Sequence, residues 1–142
     1  MTLCFAYGAN MDPVHMRERC PGAIRLGLAT VPDHAFDIAA AGFGMLRPLP
    51  GSVVRGVLWR LQPADEASLD EFEGIATGFY RKGVLPVVTE SGGTVDAMFY
   101  SPCDERPGTP AAGYLERILE VGKELGFPEE YLREIAMAGK RG

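Results

Sequence analysis

The strongest constraint on the fold is the apolar stretch Val53–Leu61, which follows Pro50-Gly51 and ends before Pro63. Its odd-numbered positions are mostly apolar, and Val54 and Leu58 add apolar residues on the other parity. A strand that is apolar on both faces is typical of a sheet that is covered on each side. The sequence therefore predicts a strand here that is buried on both faces for part of its length.

Turn and cap signals divide the rest of the chain into short elements that do not alternate regularly. The predicted strands are Leu3–Tyr7, Ala35–Ala40, Met45–Arg47 and a hairpin of Phe79–Thr89 with Thr94–Tyr100, with a turn at Pro48–Gly51. The predicted helices are Pro13–Arg19 capped by Asp12, Glu66–Glu73 capped by Asp65, one from Thr109-Pro110 to Gly126, and one starting at Pro128. This irregular order favours class α+β, a small mixed β-sheet or barrel with peripheral helices, in one domain over residues 1–142.

Composition excludes several functional classes. The net charge of −5 comes without a cationic stripe, so we expect no nucleic-acid partner. No apolar stretch approaches the ~20 residues that span a bilayer, so we expect no membrane partner. The three cysteines are widely spaced and there are only two histidines. We therefore predict no disulfide framework and no metal site, and reduced thiols in a cytoplasmic protein.

Glu73 is the first candidate for chemistry. It precedes Gly74, which is predicted to end the helix, so its carboxylate would lie at a helix C-terminus with unpaired carbonyl groups. That placement costs about 0.3–1 kcal/mol when exposed, and burial would raise the pKa further. On local sequence alone, the simpler interpretation of Glu73 is one surface acid in a short acidic helix.

The second candidate is the turn Tyr7-Gly8-Ala9-Asn10-Met11, which joins the first strand to the first helix. Glycine and asparagine permit a tight backbone turn, and successive amide groups in such a turn can converge on a developing oxyanion. The stretch lacks the lysine and the glycine count of a phosphate-binding loop. Taken alone, an ordinary strand-to-helix turn remains the simpler interpretation.

Together, these features resemble the γ-glutamylcyclotransferase family. The matching segments occur in family order over nearly the whole chain: Tyr7-Gly8-Ala9-Asn10-Met11, Pro50-Gly51 before Val54-Arg55-Gly56-Val57-Leu58-Trp59, Leu69-Asp70-Glu71-Phe72-Glu73-Gly74 followed by Tyr80, and Pro110, Tyr114 and Gly126-Phe127-Pro128-Glu129-Glu130-Tyr131. Each segment is weakly specific by itself, but four in sequence with sensible spacing form a strong signal. The one notable departure is Ala9, where the family commonly has serine.

The resemblance implies a cofactor-independent enzyme, an amide-cleaving, cyclising transferase or lyase that acts on a small γ-glutamyl substrate. The family reaction yields 5-oxoproline and a free amine or amino acid. Glu73 falls on the family's catalytic glutamate and would act as the general acid/base. The implied substrate-binding residues are Tyr7, Gly8, Ala9, Asn10, Met11, Tyr80 and Tyr114. Ala9 leaves the loop its backbone amides but not a hydroxyl.

Three alternatives stay open at this point, the most distant of which is a redox role of Cys4, Cys20 and Cys103. The same site could serve γ-glutamylamines or a γ-glutamyl secondary metabolite, or the fold could form a non-catalytic module that binds a small molecule or a protein. The substrate α-carboxylate requires a cation or amide groups, and Arg47 and Arg81 are candidates between which the sequence does not choose. The leaving amine, the oligomeric state and the pathway are not specified by the sequence.

Overall fold

The computed structural model describes residues 2–138 and residue 140. Its centre is a closed, five-stranded barrel with the order β1-β3-β2-β4-β5. The strands are β1 (Thr2–Ala6), β2 (Ile24–Ile38), β3 (Gly44–Leu61), β4 (Tyr80–Thr89) and β5 (Thr94–Pro102). All pairs are antiparallel except the one that closes the barrel, where Cys4 in β1 lies opposite Met98 in β5.

Strand β1 lies between two barrel neighbours and is buried as the sequence predicted. Phe5 is 2% exposed and Cys4 is 1% exposed. Burying a large apolar side chain such as Phe5 stabilises a fold by roughly 1.5–3 kcal/mol. The turn that follows β1 is therefore anchored on a firmly packed strand.

The β2–β3 hairpin is much longer than the sequence predicted. The expected short strands at Ala35–Ala40 and Met45–Arg47 are parts of β2 and β3, and the predicted turn at Pro48–Gly51 is a bulged region inside β3. The register shifts between Pro32 and His34, where Asp33 has a φ of 57° and accepts a hydrogen bond from the Gly51 amide. Bulges accommodate the prolines that read as a turn, because proline is tolerated where ladder hydrogen bonds are missing.

Helix α1 (Pro13–Arg19) matches its prediction, since the Asp12 side chain accepts a hydrogen bond from the Val14 amide at 3.0 Å. Helix α2 (Pro63–Phe72) begins earlier than predicted. Pro63 opens the helix instead of only ending the strand, and Asp65 accepts a hydrogen bond from the Gln62 amide from within the first turn. The C-terminal end of α2 falls at Glu73, as expected.

Helix α3 (Tyr114–Leu125) starts four residues after Pro110, so the predicted Thr109-Pro110 start is wrong. Residues 103–113 instead form a loop, in which Gly113 adopts a φ of 78° directly before the helix. The predicted stop at Gly126 is confirmed by its φ of 80°. Helix α4 (Glu129–Met137) follows Pro128 and packs on the barrel, where the Tyr131 hydroxyl accepts a hydrogen bond from the Arg55 amide at 3.0 Å.

The predicted fold class is confirmed: this is an α+β domain with a small mixed barrel and four helices around it. Buried side chains from all five strands and from all four helices form one continuous hydrophobic core. The end of β1, the end of α2 and the tip of the β2–β3 hairpin meet at one mouth of this core.

Candidate active site

A cavity of about 410 Å³ opens at this mouth. Its walls come from the end of β1, the turn after it, α1, the hairpin tip, the end of α2, the start of β4, β5 and the start of α3. Seven of the eight residues singled out from the sequence line it: Tyr7, Gly8, Ala9, Asn10, Glu73, Tyr80 and Tyr114. Met11, the eighth, points into the protein core at 2% exposure and is absent from the described lining.

Glu73 lies at the C-terminal end of α2, with its amide bonded to the Leu69 carbonyl at 2.8 Å. The chain then turns away through Gly74, whose φ of 69° belongs to the left-handed region that glycine adopts without strain. Among the described residues that line the cavity, Glu73 carries the only carboxylate. The helix end therefore delivers one acid group into an otherwise largely aromatic cavity.

Burial raises the pKa of Glu73 above its ordinary value, because the ionised carboxylate loses water. A hydrogen bond from Asn10 and the charge of Arg19 oppose that rise, but burial outweighs them. The Asn10 Nδ2 atom donates to Glu73 Oε1 at 3.0 Å. A carboxyl group with a raised pKa is better matched to exchanging protons near neutral pH than an ordinary glutamate.

The turn after β1 is a short 3₁₀ segment, Ala9–Met11. Its own hydrogen bonds run from the Met11 amide to the Gly8 carbonyl at 3.0 Å and from the Asp12 amide to the Ala9 carbonyl at 3.1 Å. Within residues 2–138, the amides of Gly8, Ala9 and Asn10 have no acceptor. The turn therefore keeps three donors for a ligand at the cavity wall.

Gly8 is required by the close approach of Tyr114. A Cβ atom at position 8 would lie 2.7 Å from the Tyr114 hydroxyl oxygen. That hydroxyl accepts a hydrogen bond from the Gly44 amide at 3.0 Å, and burial raises the pKa of Tyr114 to about 12. Tyr114 is thus a neutral phenol whose proton remains available to a ligand in the cavity.

Tyr7 is held by the barrel. Its hydroxyl donates to the Tyr100 carbonyl at 2.7 Å, and burial raises the pKa of Tyr7 well above its usual range. Tyr80, at the start of β4, also has a raised pKa through burial and the nearby Glu73 carboxylate. Both phenols are therefore neutral over the physiological pH range and contribute shape and hydrogen-bonding groups, but no charge, to the cavity wall.

The structure adds cavity residues that the sequence did not single out: His15, Arg19, Phe43, Phe72 and Phe79. His15 and Arg19 are four residues apart in α1, a spacing that places both on one helix face and was readable from the sequence. The aromatic residues have no local signal, because they reach the cavity from the hairpin tip, from α2 and from the loop before β4.

Neither arginine considered for the substrate α-carboxylate lines the cavity. Arg47 pairs with Asp37 at 3.0 Å, and Arg81 pairs with Glu105 at 2.7 Å. The arginine that the described lining does contain is Arg19.

Cys4 also borders the cavity, but burial raises the pKa of its thiol far above neutral and so keeps it protonated. Because the thiolate is the nucleophilic form, Cys4 is poorly suited to covalent chemistry. Among residues 2–138 and 140, no cluster of three or more histidine, cysteine, aspartate or glutamate side chains could hold a metal ion. No helix in the same residues is long and apolar enough to span a bilayer.

The fold and the cavity define a small-barrel domain in which a half-buried carboxylate lies beside a turn whose backbone amides have no acceptor among the described residues. The AIG2-like family model matches residues 53–135, more than half of the chain, and the chain belongs to that family. It is also similar over 94% of its length to proteins named γ-glutamylcyclotransferase from Mus musculus, at 29% identity, and Homo sapiens, at 28% identity. The alignment covers 76% of each of those proteins.

Solved structures agree with this placement. A structure described as a γ-glutamyl cyclotransferase superposes with a TM-score of 0.87 at 26% identity, over 96% of this chain and 87% of that one. A solution structure from Arabidopsis thaliana, at 16% identity, shares the fold with a TM-score of 0.65. The comparisons confirm the family resemblance and the enzyme class that the sequence motifs indicated.

Proposed function

We propose that this protein is a γ-glutamylcyclotransferase-type enzyme. It would convert a γ-glutamyl amino acid or amine to 5-oxoproline and the free amine by intramolecular aminolysis, with Glu73 as general acid/base. The observation that supports this most directly is the half-buried Glu73 carboxylate, whose Oε1 atom lies 3.0 Å from Asn10 Nδ2 in the turn after β1. Relatives that carry the name of this activity align over nearly the whole chain.

The chemistry asks little of the protein, because the substrate brings both reacting groups. The α-amine attacks the γ-carbonyl carbon of the same molecule, a C–N bond forms to close the five-membered ring, and the original amide C–N bond breaks. Tethering supplies the proximity that an enzyme otherwise has to provide. No enzyme nucleophile is needed, in keeping with a cavity whose cysteine is held as a thiol.

Proton transfer is the main difficulty that the residues address. An α-amine with a pKa near ~7.8 gives its proton to an ordinary glutamate, near ~4.3, at a cost of roughly 5 kcal/mol. Burial raises the pKa of Glu73 and narrows that gap. Glu73 takes the ammonium proton, which frees the amine to attack, and then returns a proton to the departing nitrogen as the ring closes.

The tetrahedral intermediate places negative charge on the former carbonyl oxygen. The free amides of Gly8, Ala9 and Asn10 are donors of the kind that stabilise such an oxyanion, at roughly 3 kcal/mol for a well-placed donor. Tyr7, Tyr80 and Tyr114 shape the cavity around the γ-glutamyl group. Backbone donors make the hydroxyl that Ala9 lacks unnecessary.

The test compares Glu73→Gln with Glu71→Gln, an exposed carboxamide variant two residues earlier on the same helix. Release of 5-oxoproline is measured over a panel of γ-glutamyl amino acids and γ-glutamylamines. We expect Glu73→Gln to lose at least ~100-fold in kcat, because proton transfer to and from the amine is removed. Glu71→Gln should match the wild type.

Near-wild-type turnover by a folded Glu73→Gln protein would refute the role of Glu73. An absence of turnover by the wild type over the whole panel would refute the enzyme assignment and favour a binding module. The panel also distinguishes amino acid from amine leaving groups.

We further propose that residues 1–142 act as one domain in the cytoplasm, supported by the continuous core and three unpaired cysteines.

A further inference from the structure

Three side chains form a hydrogen-bonded series at one wall of the cavity. Arg19 Nη1 donates to Asn10 Oδ1 at 2.6 Å, and Asn10 Nδ2 donates to Glu73 Oε1 at 3.0 Å. These residues come from α1, from the turn after β1 and from the end of α2. The amide of Asn10 thus connects a cation to the carboxylate that the proposed reaction uses.

Only one orientation of the Asn10 amide satisfies both neighbours. A guanidinium can only donate hydrogen bonds, and an ionised carboxylate can only accept them. The carbonyl oxygen of the amide must therefore face Arg19, and the NH₂ group must face Glu73. Without Arg19, the hydrogen bond to Glu73 alone would hold the side-chain amide in this orientation, and its oxygen would have no donor to fix it.

Arg19 and Asn10 are each held in place by one further contact. The Arg19 guanidinium stacks on the Phe72 ring, 3.3 Å from its centroid. The backbone carbonyl of Asn10 accepts a hydrogen bond from Trp59 Nε1 at 3.1 Å. Stacking on an aromatic face fixes the plane of a guanidinium as well as its position. Among the described residues, Arg19 and Glu73 share neither a hydrogen bond nor an ion pair, so Arg19 reaches the carboxylate through Asn10 and through its charge.

Resting on the proposed function, we propose that Arg19 is a positioning residue, which orients the Asn10 amide and through it aims the Glu73 carboxylate for proton transfer. Arg19 acts through Asn10 and is not itself a catalytic residue. Its charge also favours the ionised form of Glu73, and so balances part of the effect of burial.

The other titratable side chains that face Glu73 or share its cavity are Cys4 from β1, Tyr7 directly after β1, His15 from α1, Tyr80 from β4, Tyr100 from β5 and Tyr114 from α3. The thiol and the four phenols are weak acids that stay neutral near pH 7. Burial is the main cause that raises the pKa of the thiol and of the four phenols, and the negative charge of Glu73 contributes to each of these rises. Arg19 is the cation among the groups that lower the pKa of Glu73.

The experiment uses three variants of one helix: Arg19→Met, Arg19→Lys and, as the matched control, Arg17→Met. Arg17 is exposed, lies outside the described cavity lining and carries the same charge. The pKa of Glu73 is measured without substrate, by carboxyl ¹³C NMR titration assigned with Glu73→Gln. In parallel, kcat and KM for a γ-glutamyl amino acid are recorded against pH.

For Arg19→Met we expect the Glu73 titration, and with it the acid limb of kcat, to move to higher pH. We expect kcat at the optimum to fall roughly 10–100-fold, as for a misaimed catalytic group, with KM less affected. Arg19→Lys should restore the titration and part of kcat, and Arg17→Met should behave as the wild type. Combining Arg19→Met with Asn10→Ala, which keeps the backbone amides, should add little to either single change.

A folded Arg19→Met protein with an unshifted Glu73 titration and a normal acid limb would overturn the inference. So would additive losses in the double variant. A role limited to packing on Phe72 would lower the melting temperature and leave the titration unchanged. If the wild type has no turnover, the proposed function fails, and the substrate-free titration still decides whether Arg19 controls Glu73.

Discussion

The ion pair between Asp12 and Arg117 should be a major contributor to the stability of the cavity frame. Asp12 is 2% exposed, and its Oδ2 atom accepts hydrogen bonds from Arg117 Nε at 2.9 Å and Nη2 at 2.5 Å. Its other oxygen caps α1 through the Val14 amide at 3.0 Å. One carboxylate therefore starts the helix that contains Arg19 and ties it to α3.

The magnitude follows from these contacts. Asp12→Ala removes a helix cap, at about 0.5–2 kcal/mol, and charge-assisted hydrogen bonds, at about 1.5–3 kcal/mol. Arg117 is 39% exposed and would be rehydrated, so we discount the second figure and expect a total loss of about 2–4 kcal/mol. Asp12→Asn retains a good capping residue and should lose only about 1–2 kcal/mol.

The dependence on pH gives a second readout. Burial alone would raise the pKa of Asp12, but the Arg117 hydrogen bonds and the Val14 amide outweigh it and the pKa is lowered. Because the folded pKa lies below the unfolded one, this stabilisation is complete above the unfolded value, near ~3.9, and is lost as the pH falls through the folded pKa.

Urea unfolding at pH 7 and at acid pH measures both effects. The difference between wild type and Asp12→Asn should shrink as the pH falls through the pKa of Asp12 in the folded state. The control is Glu120→Gln, since Glu120 pairs with Arg117 at 3.2 Å but is 62% exposed, and it should change stability by less than about 0.5 kcal/mol. A loss below ~1 kcal/mol for Asp12→Ala, or an Asp12→Asn loss that persists undiminished in acid, would refute the reasoning.

Three further predictions concern the cavity and the thiols. Glu73→Gln should stabilise the protein at neutral pH, because the raised pKa means that the ionised carboxylate is unfavourable in the folded state. This gain in stability should disappear below the unfolded pKa, near ~4.3, where the carboxyl group is protonated in both states. Thermal melts at pH 7 and pH 3.5 test this, and an equal difference in melting temperature at the two pH values would contradict the burial argument. Gly8→Ala should lower kcat/KM at least ~10-fold, because the added Cβ atom would collide with the Tyr114 hydroxyl. Adding Tyr114→Phe should restore part of the melting temperature that Gly8→Ala loses. A fully active Gly8→Ala protein would show that the close approach is not needed. A thiol reagent at pH 8 should modify the exposed Cys103 rapidly, and the buried Cys4 and Cys20 only when the protein unfolds. Burial both hides these two thiols and raises their pKa, which keeps them protonated. Two or three rapidly reacting thiols would be inconsistent with the structure.

Local signals predicted the parts of the fold that local chemistry determines. The cap and proline at Asp12 and Pro13 defined α1, and Gly126 defined the end of α3. The same cap-and-proline pattern at Thr109 and Pro110 failed, because the loop there bonds to the hairpin tip: the Ala111 amide donates to the Gly42 carbonyl at 2.9 Å. A cap signal cannot report a partner that lies about 70 residues away in the chain.

The long β2–β3 hairpin shows the same limit. Its prolines and Gly51 have the composition of a turn, and the sequence contains no sign that the strands continue through a bulge. The extension depends on pairing between distant residues, which decides strand propensity more than composition does. The predicted fold class was nevertheless correct, because it was inferred from the order of the strands and helices and not from their lengths.

The candidate site was predictable where motifs supplied it. Glu73 and the turn Tyr7–Met11 were found from their segments, and local physics alone would have left Glu73 as an ordinary helix-end acid. Arg19 was missed because its role needs Asn10 and Phe72 beside it, a relation that only the packed structure shows. The sequence pointed instead to Arg47 and Arg81, whose charges are already paired elsewhere.

The tip of the β2–β3 hairpin reaches the cavity from a different part of the fold than Glu73 and Asn10 do. Phe43 forms an edge-to-face contact with Tyr114 at 5.3 Å, at the end of a long arm beyond the main barrel ladder. Glu73 and Asn10, in contrast, are held by α2 and by the packed strands. A substitution of Phe43 should therefore reshape one wall of the cavity and leave the hydrogen bond between Asn10 and Glu73 in place.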